Sequence, residues 1–161
     1  MDVIPKVCKT TYEFAEKYYP QKKTEIFCNP SETLLTQGTV MKKYKEWFDV
    51  VFFSPPYYRL ELYSGTNQST EKYKTYDEWL EGYWMRTIQL CWYVLKKGGR
   101  LCYIINDYMD GDKKVELVRD MNNITMKLGF RKKKIIKMHN KSVSVNLGQD
   151  NNDELICLFI K

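Results

Sequence analysis

Ser54-Pro55-Pro56-Tyr57 is the stretch of this chain best equipped for chemistry. Neither proline has a backbone N–H, and each ring holds φ near about −65°, so the carbonyls of this turn are rigid acceptors. Ser54 adds a hydroxyl, and Tyr57 a flat ring on which a base can stack. Such a set can hold an exocyclic amino group by its hydrogens and leave the nitrogen lone pair facing an electrophile. Tyr58 and Tyr63 follow closely enough to extend a stacking surface. The outline is that of a nucleobase pocket; taken alone, the same four residues also suit a plain surface turn after a core strand.

The elements that must position this turn can be read around it. Residues 49–53, DVVFF, form an apolar run that reads as a buried strand stopped by the two prolines. In an open α/β sheet the carboxyl ends of the strands are where ligands bind. Downstream, residues 65–74 are polar and turn-rich, as in a loop that closes over a site. Thr75 and Glu78 then form a capping box for a long helix carrying Leu80, Tyr83, Trp84, Ile88, Cys91 and Leu95 at helical spacing, with Lys96, Lys97 and Gly98 at its end. The run 100–105 reads as a central strand, with Asp107 capping the turn beyond it. The spacing predicts a helix over 112–128 closing on Gly129, and strands over 132–138 and 154–160 joined by a polar loop. Upstream, a short helix is expected between residues 10 and 20, a brief strand over 25–28, and a helix capped by Ser31 that enters at Leu34. This alternation predicts a three-layer α/β domain with a mostly parallel sheet and an antiparallel strand pair at the C-terminal end.

Three stretches together carry a resemblance. The Ser54–Tyr57 turn behind its apolar strand, the segment 59–80 (RLELYSGTNQSTEKYKTYDEWL) and the passage 95–105 (LKKGGRLCYII) resemble the S-adenosylmethionine-dependent amino methyltransferases of DNA over residues 25–160. The resemblance implies a Rossmann-like fold, S-adenosylmethionine as cofactor, DNA as partner, and catalytic roles for Ser54, Pro55, Pro56 and Tyr57. Serine at the first motif position is more similar to cytosine-N4 than to adenine-N6 enzymes. Residues 25–32, EIFCNPSE, resemble the motif that contacts the cofactor's adenine, which implies Asn29, Ser31, Glu32 and Phe53 as cofactor-binding residues. The chain departs from the family in having no Gly-x-Gly turn; its one adjacent glycine pair is Gly98-Gly99. The expectation is therefore a domain incomplete at its N-terminal side, the target-base half of an enzyme whose cofactor half lies on a separate or upstream polypeptide. A shortened relative, with residues 25–34 as a degenerate glycine-rich turn, is the other reading. A non-catalytic module that binds nucleic acid or protein, or methylation of RNA or a protein amide, stand as alternatives.

Composition sets the outer bounds. The 161 residues fit a single domain, and hydrophobic and aromatic contents of 43% and 15% supply a core, which excludes a disordered chain. A net charge of +6 favours an anionic partner. Arg131, Lys132 and Lys133, continued by Lys134, could track a phosphate backbone or guard a sheet edge against pairing. Five scattered cysteines and the single His139 give no zinc-binding spacing, so no metal is expected, and Cys28, Cys102 and Cys157 read as small buried hydrophobes in a reducing compartment. No apolar run approaches the ~20 residues that span a bilayer, and the first residues lack a signal-peptide core. A soluble intracellular protein is expected.

Overall fold

The computed structural model describes residues 1–36, 39–60, 68–138 and 154–161. Helix α1 (Pro5–Tyr18) begins with proline at its first turn, where a missing N–H costs nothing. It starts well before the expected Thr10 cap, and Thr11 bonds back to the Val7 carbonyl at 2.8 Å inside the helix. Residues 25–28 form no strand; a single bridge joins Asp2 to Cys28. Short 3-10 turns, Ser31–Thr33 and Thr39–Tyr44, lead to strand β1 (Phe48–Phe53). The short helix α2 (Ser69–Lys72) precedes α3 (Tyr76–Trp79), which opens on the expected Thr75/Glu78 capping box.

The long helix is interrupted. A π-helical turn, Leu80–Met85, separates α3 from α4 (Arg86–Val94). Gly82 lies in that turn because the Tyr73 ring presses on it: an added Cβ would sit 2.1 Å from the ring, and the Tyr73 hydroxyl donates to the Gly82 carbonyl at 2.9 Å. Helix α4 stops at Val94, so Lys96, Lys97 and Gly98 belong to strand β2 (Leu95–Ile105), not to the helix end. Its last carbonyls are served instead by Lys161, whose ammonium donates to Trp92 and Leu95, both at 2.7 Å.

After β2 comes a hairpin where helix was expected. Strands β3 (Tyr108–Asp110) and β4 (Lys113–Val115) turn at Gly111, whose φ of +60° suits glycine, and helix α5 (Leu117–Lys127) starts only after them. Strands β5 (Arg131–Lys137) and β6 (Leu155–Ile160) complete the main sheet, in the order β1-β2-β6-β5. β1 and β2 are parallel, β6 is antiparallel to both neighbours, and so β1, β2 and β5 point the same way around one reversed strand. This is a mixed α/β sheet with the expected antiparallel pair at its C-terminal end.

One face of this sheet holds the core. Leu101, Tyr103 and Ile105 on β2 and Cys157 and Phe159 on β6 are fully or almost fully buried under Trp84, Ile88 and Cys91 on one helix and Leu117 and Met121 on the other. The Tyr103 hydroxyl donates to Asn122 at 2.6 Å, and the Trp84 indole donates to the Met121 carbonyl at 3.0 Å, so the polar tips of both rings are satisfied. The alternate residues tell another story. Val50 and Phe52 are exposed, and Cys102, Ile104, Ile156 and Leu158 are only half-buried. Of the helical layers of a three-layer fold, α4 and α5 supply one; among the described residues the opposite face stays open. The outer edge of β1 pairs with no strand among the described residues.

Candidate functional site

Ser54 follows directly from the carboxyl end of β1, beside the end of β2, because Phe53 pairs with Tyr103 in the parallel ladder. Ser54 is exposed, Pro55 is buried and Pro56 half-buried. Ser54, Pro55 and Pro56 form one wall of a cavity of about 860 Å³ that runs along β1. Asn29, Ser31 and Glu32 form another, so the sequence-expected turn and the expected cofactor segment do meet around one space. Gln68, Ser69 and Thr70 close a third side from the start of α2.

The two tyrosines after the prolines are both buried in the core cluster, at 6% and 5% exposure. Tyr57 is buried in the core cluster and is not part of the cavity wall; its hydroxyl meets Glu154 at 3.4 Å across the strand ends. Tyr58 lines the cavity instead. Its φ of +41° is unusual for a residue with a side chain. The ring lies 5.3 Å from that of Tyr76 and 5.6 Å from that of Trp79, and the Arg59 guanidinium stands 5.4 Å over it. Tyr63 lies outside the described residues, as do His139 and residues 65–67 of the loop expected to close the site, while the rest of that loop holds the short helix α2 in place of irregular chain.

The cofactor segment is likewise uneven. The Ser31 hydroxyl is 2.7 Å from that of Thr87, a bond in which either can donate, which ties the 3-10 turn to α4; Ser31 lies inside that turn and does not cap it. Glu32 is buried, with its side chain 4% exposed, and pairs with Lys72 of α2 at 3.5 Å. Burial first, and then the charge of Glu32, push the Tyr83 hydroxyl far above its ordinary range, so it remains a neutral donor in the cavity wall. Phe53 turns its ring into the core, 5.9 Å from Trp84 and 6.1 Å from Tyr103. Its neighbour Phe52, 62% exposed, presents a ring on the open side. Tyr83 and Thr87, four residues apart on the long helix, and Lys72 are members of the site that sequence reasoning missed.

Other expected residues lie elsewhere. Arg131 pairs with Ile160, and Ile160 with Arg100, which places Arg131, Lys132 and Lys133 at the amino end of β5. They occupy the opposite edge and the opposite end of the sheet from Ser54, three strand spacings or about 14 Å across. Asp107 caps as expected: one oxygen accepts the Val118 amide at 2.9 Å and the other pairs with Lys114 at 3.0 Å. Gly98, with φ of +77°, and Gly99 sit at the amino end of β2, away from the cavity. Among the described residues no group of three or more acidic, histidine or cysteine side chains could hold a metal, and no helix is long and apolar enough to cross a membrane.

No protein-family model and no curated protein matches this chain. Solved structures do. TTHA0409 of Thermus thermophilus, a candidate DNA modification methylase, matches 83% of this chain and 52% of its own at 20% identity and a TM-score of 0.58. Its complex with S-adenosyl-L-methionine matches with a TM-score of 0.52. The N-methyltransferase NodS of Bradyrhizobium japonicum, in complex with S-adenosyl-L-homocysteine, matches 99% of this chain and 64% of its own at 12% identity and a TM-score of 0.57. At these identities the likeness establishes the fold. The chain spans about half the length of TTHA0409.

Proposed function

We propose that this chain carries the target-base half of an S-adenosylmethionine-dependent methyltransferase acting on an exocyclic amino group in DNA, cytosine N4 in preference to adenine N6. The observation that carries this reading is the exposed Ser54 beside the rigid Pro55-Pro56 turn at the carboxyl end of β1, opening on a cavity large enough for a nucleoside. The target base leaves the stack and enters this space. Ser54 and the Pro55 carbonyl accept its amino hydrogens, which orients the nitrogen lone pair.

Asn29 and Glu32 would hold the adenosine end of S-adenosylmethionine, the group that supplies an electrophilic methyl when bound. The residues fit that end only, because the chain has no Gly-x-Gly turn to receive the methionine end. The reading therefore includes a separate or upstream polypeptide that pairs with the edge of β1 left uncovered by the described strands and brings that turn. Arg131, Lys132 and Lys133 would touch DNA only at a distance from the base, as phosphate contacts. The missing turn also favours a second reading, a non-catalytic module that binds nucleic acid and no longer methylates.

Anisotropy titration of a single-stranded, cytosine-containing oligonucleotide separates the two. Ser54→Ala weakens binding about tenfold if the turn holds the base; equal affinity of variant and parent would reject the proposed role of Ser54 and leave the second reading.

A further inference from the structure

Helix α1 is weakly anchored. Its one buried residue is Cys8, while Val7, Phe14 and Tyr18 are 41%, 54% and 55% exposed. What holds it is a small knot at its start. The Asp2 amide donates to the Phe27 carbonyl at 3.1 Å, Asp2 bridges to Cys28, and the Cys8 thiol points at the Asp2 and Phe27 carbonyls from 3.6 and 4.0 Å. Cys28 directly follows Phe27 and bridges to Asp2, the two residues whose carbonyls the Cys8 thiol faces, so both cysteines belong to this knot. Cys8 is buried and Cys28 is exposed, against the expectation that Cys28 is a buried hydrophobe. Both sides of the knot also wall the cavity, through Asp2, Ile4 and Val7 on one side and Phe27 and Asn29 on the other.

We infer that Cys8 and Cys28 are a thiol pair that closes into a disulfide by exchange with a small oxidised thiol, tying α1 to the cavity wall. The accessible Cys28 reacts first. Its thiolate attacks one sulfur of a disulfide such as oxidised glutathione, the S–S bond breaks, and one glutathione thiolate leaves. The Cys8 thiolate then attacks the Cys28 sulfur of this mixed disulfide and expels the second glutathione thiolate. Two protein thiols have given up two protons and two electrons, and one glutathione disulfide has become two glutathione thiols.

Closure is the slow step. Burial, followed by the contact with Cys28, pushes the Cys8 thiol up to about 11; Asp2 acts in the same direction and the N-terminal ammonium opposes it. Closure therefore quickens as pH rises and the thiolate fraction grows.

The test is a non-reducing peptide map of the full chain after incubation with oxidised glutathione. The expected product joins the Cys8 and Cys28 peptides and carries no glutathione. Cys8→Ser instead retains one glutathionyl group on Cys28, and Cys28→Ser leaves Cys8 free. A parent chain that keeps glutathione on Cys28, stays reduced at both positions, or pairs either cysteine elsewhere would overturn the inference. Hydrogen exchange of the α1 amides slows several-fold in the oxidised chain; unchanged exchange with the bond in place would overturn the tether.

Discussion

The two faces of the four-stranded sheet are built from alternate residues of the same strands, yet they have opposite fates. On one face Leu101, Tyr103, Cys157 and Phe159 lie buried under two helices. On the other, Val50 and Phe52 are 51% and 62% exposed, and the cavity runs beside them. The first face holds the fold together without help from the open side. The second has the composition of a core and the exposure of a surface, which is the condition of a face awaiting a partner.

The difference can be broken at either face. Trp84→Ala removes a fully buried ring together with its hydrogen bond to the Met121 carbonyl, and costs about 3–5 kcal/mol in chemical denaturation. Phe52→Ala, a truncation of a large ring on the open side, changes stability by less than about 0.5 kcal/mol. Comparable losses in the two variants would erase the distinction between the faces.

A second prediction concerns the half-built cofactor site. If only the adenosine end has contacts here, adenosine and S-adenosylhomocysteine bind with affinities within about threefold of each other in calorimetric titration. A hundredfold advantage for S-adenosylhomocysteine would mean that the chain also holds the methionine end.

The smallest effect falls at the rim. Hydrogen bonds from Lys43 and then Tyr44 hold the Glu25 carboxyl below its ordinary range. A carboxyl with a lowered folded pKa stabilises above its unfolded value, near pH 4.5, and the contribution fades as pH falls through the folded value. Glu25→Gln therefore lowers the melting temperature slightly at pH 7, and the gap between parent and variant closes in acid.

Much of the positioning is legible in the sequence. The proline stop after β1, the Thr75 cap, the strand β2 and the antiparallel end of the sheet follow from local chemistry that the fold does not override. What escapes depends on distance or parity. An unbroken apolar run gives no alternation, so nothing in it separates Phe53, whose ring enters the core, from Phe52, whose ring stands on the open side. The same one-residue uncertainty separates Tyr57 from Tyr58. The π-helical turn cannot be read from helical spacing, and the Tyr73 ring that packs on its Gly82 comes from a separate stretch of chain. Two misses do have a signal: Pro5 at a helix start and Gly111-Asp112 as a hairpin turn.

The most direct test of the account is discrimination at the Ser54–Pro55 turn between two bases that differ in one group. Matched oligonucleotides carrying a single unpaired cytosine or uracil at the same position are titrated against the parent chain and Ser54→Ala. The account predicts at least about tenfold tighter binding of cytosine, whose amino group donates where uracil offers only an acceptor, and loss of that preference in the variant. Equal binding of the two bases by the parent chain, or a preference that survives in Ser54→Ala, would contradict it.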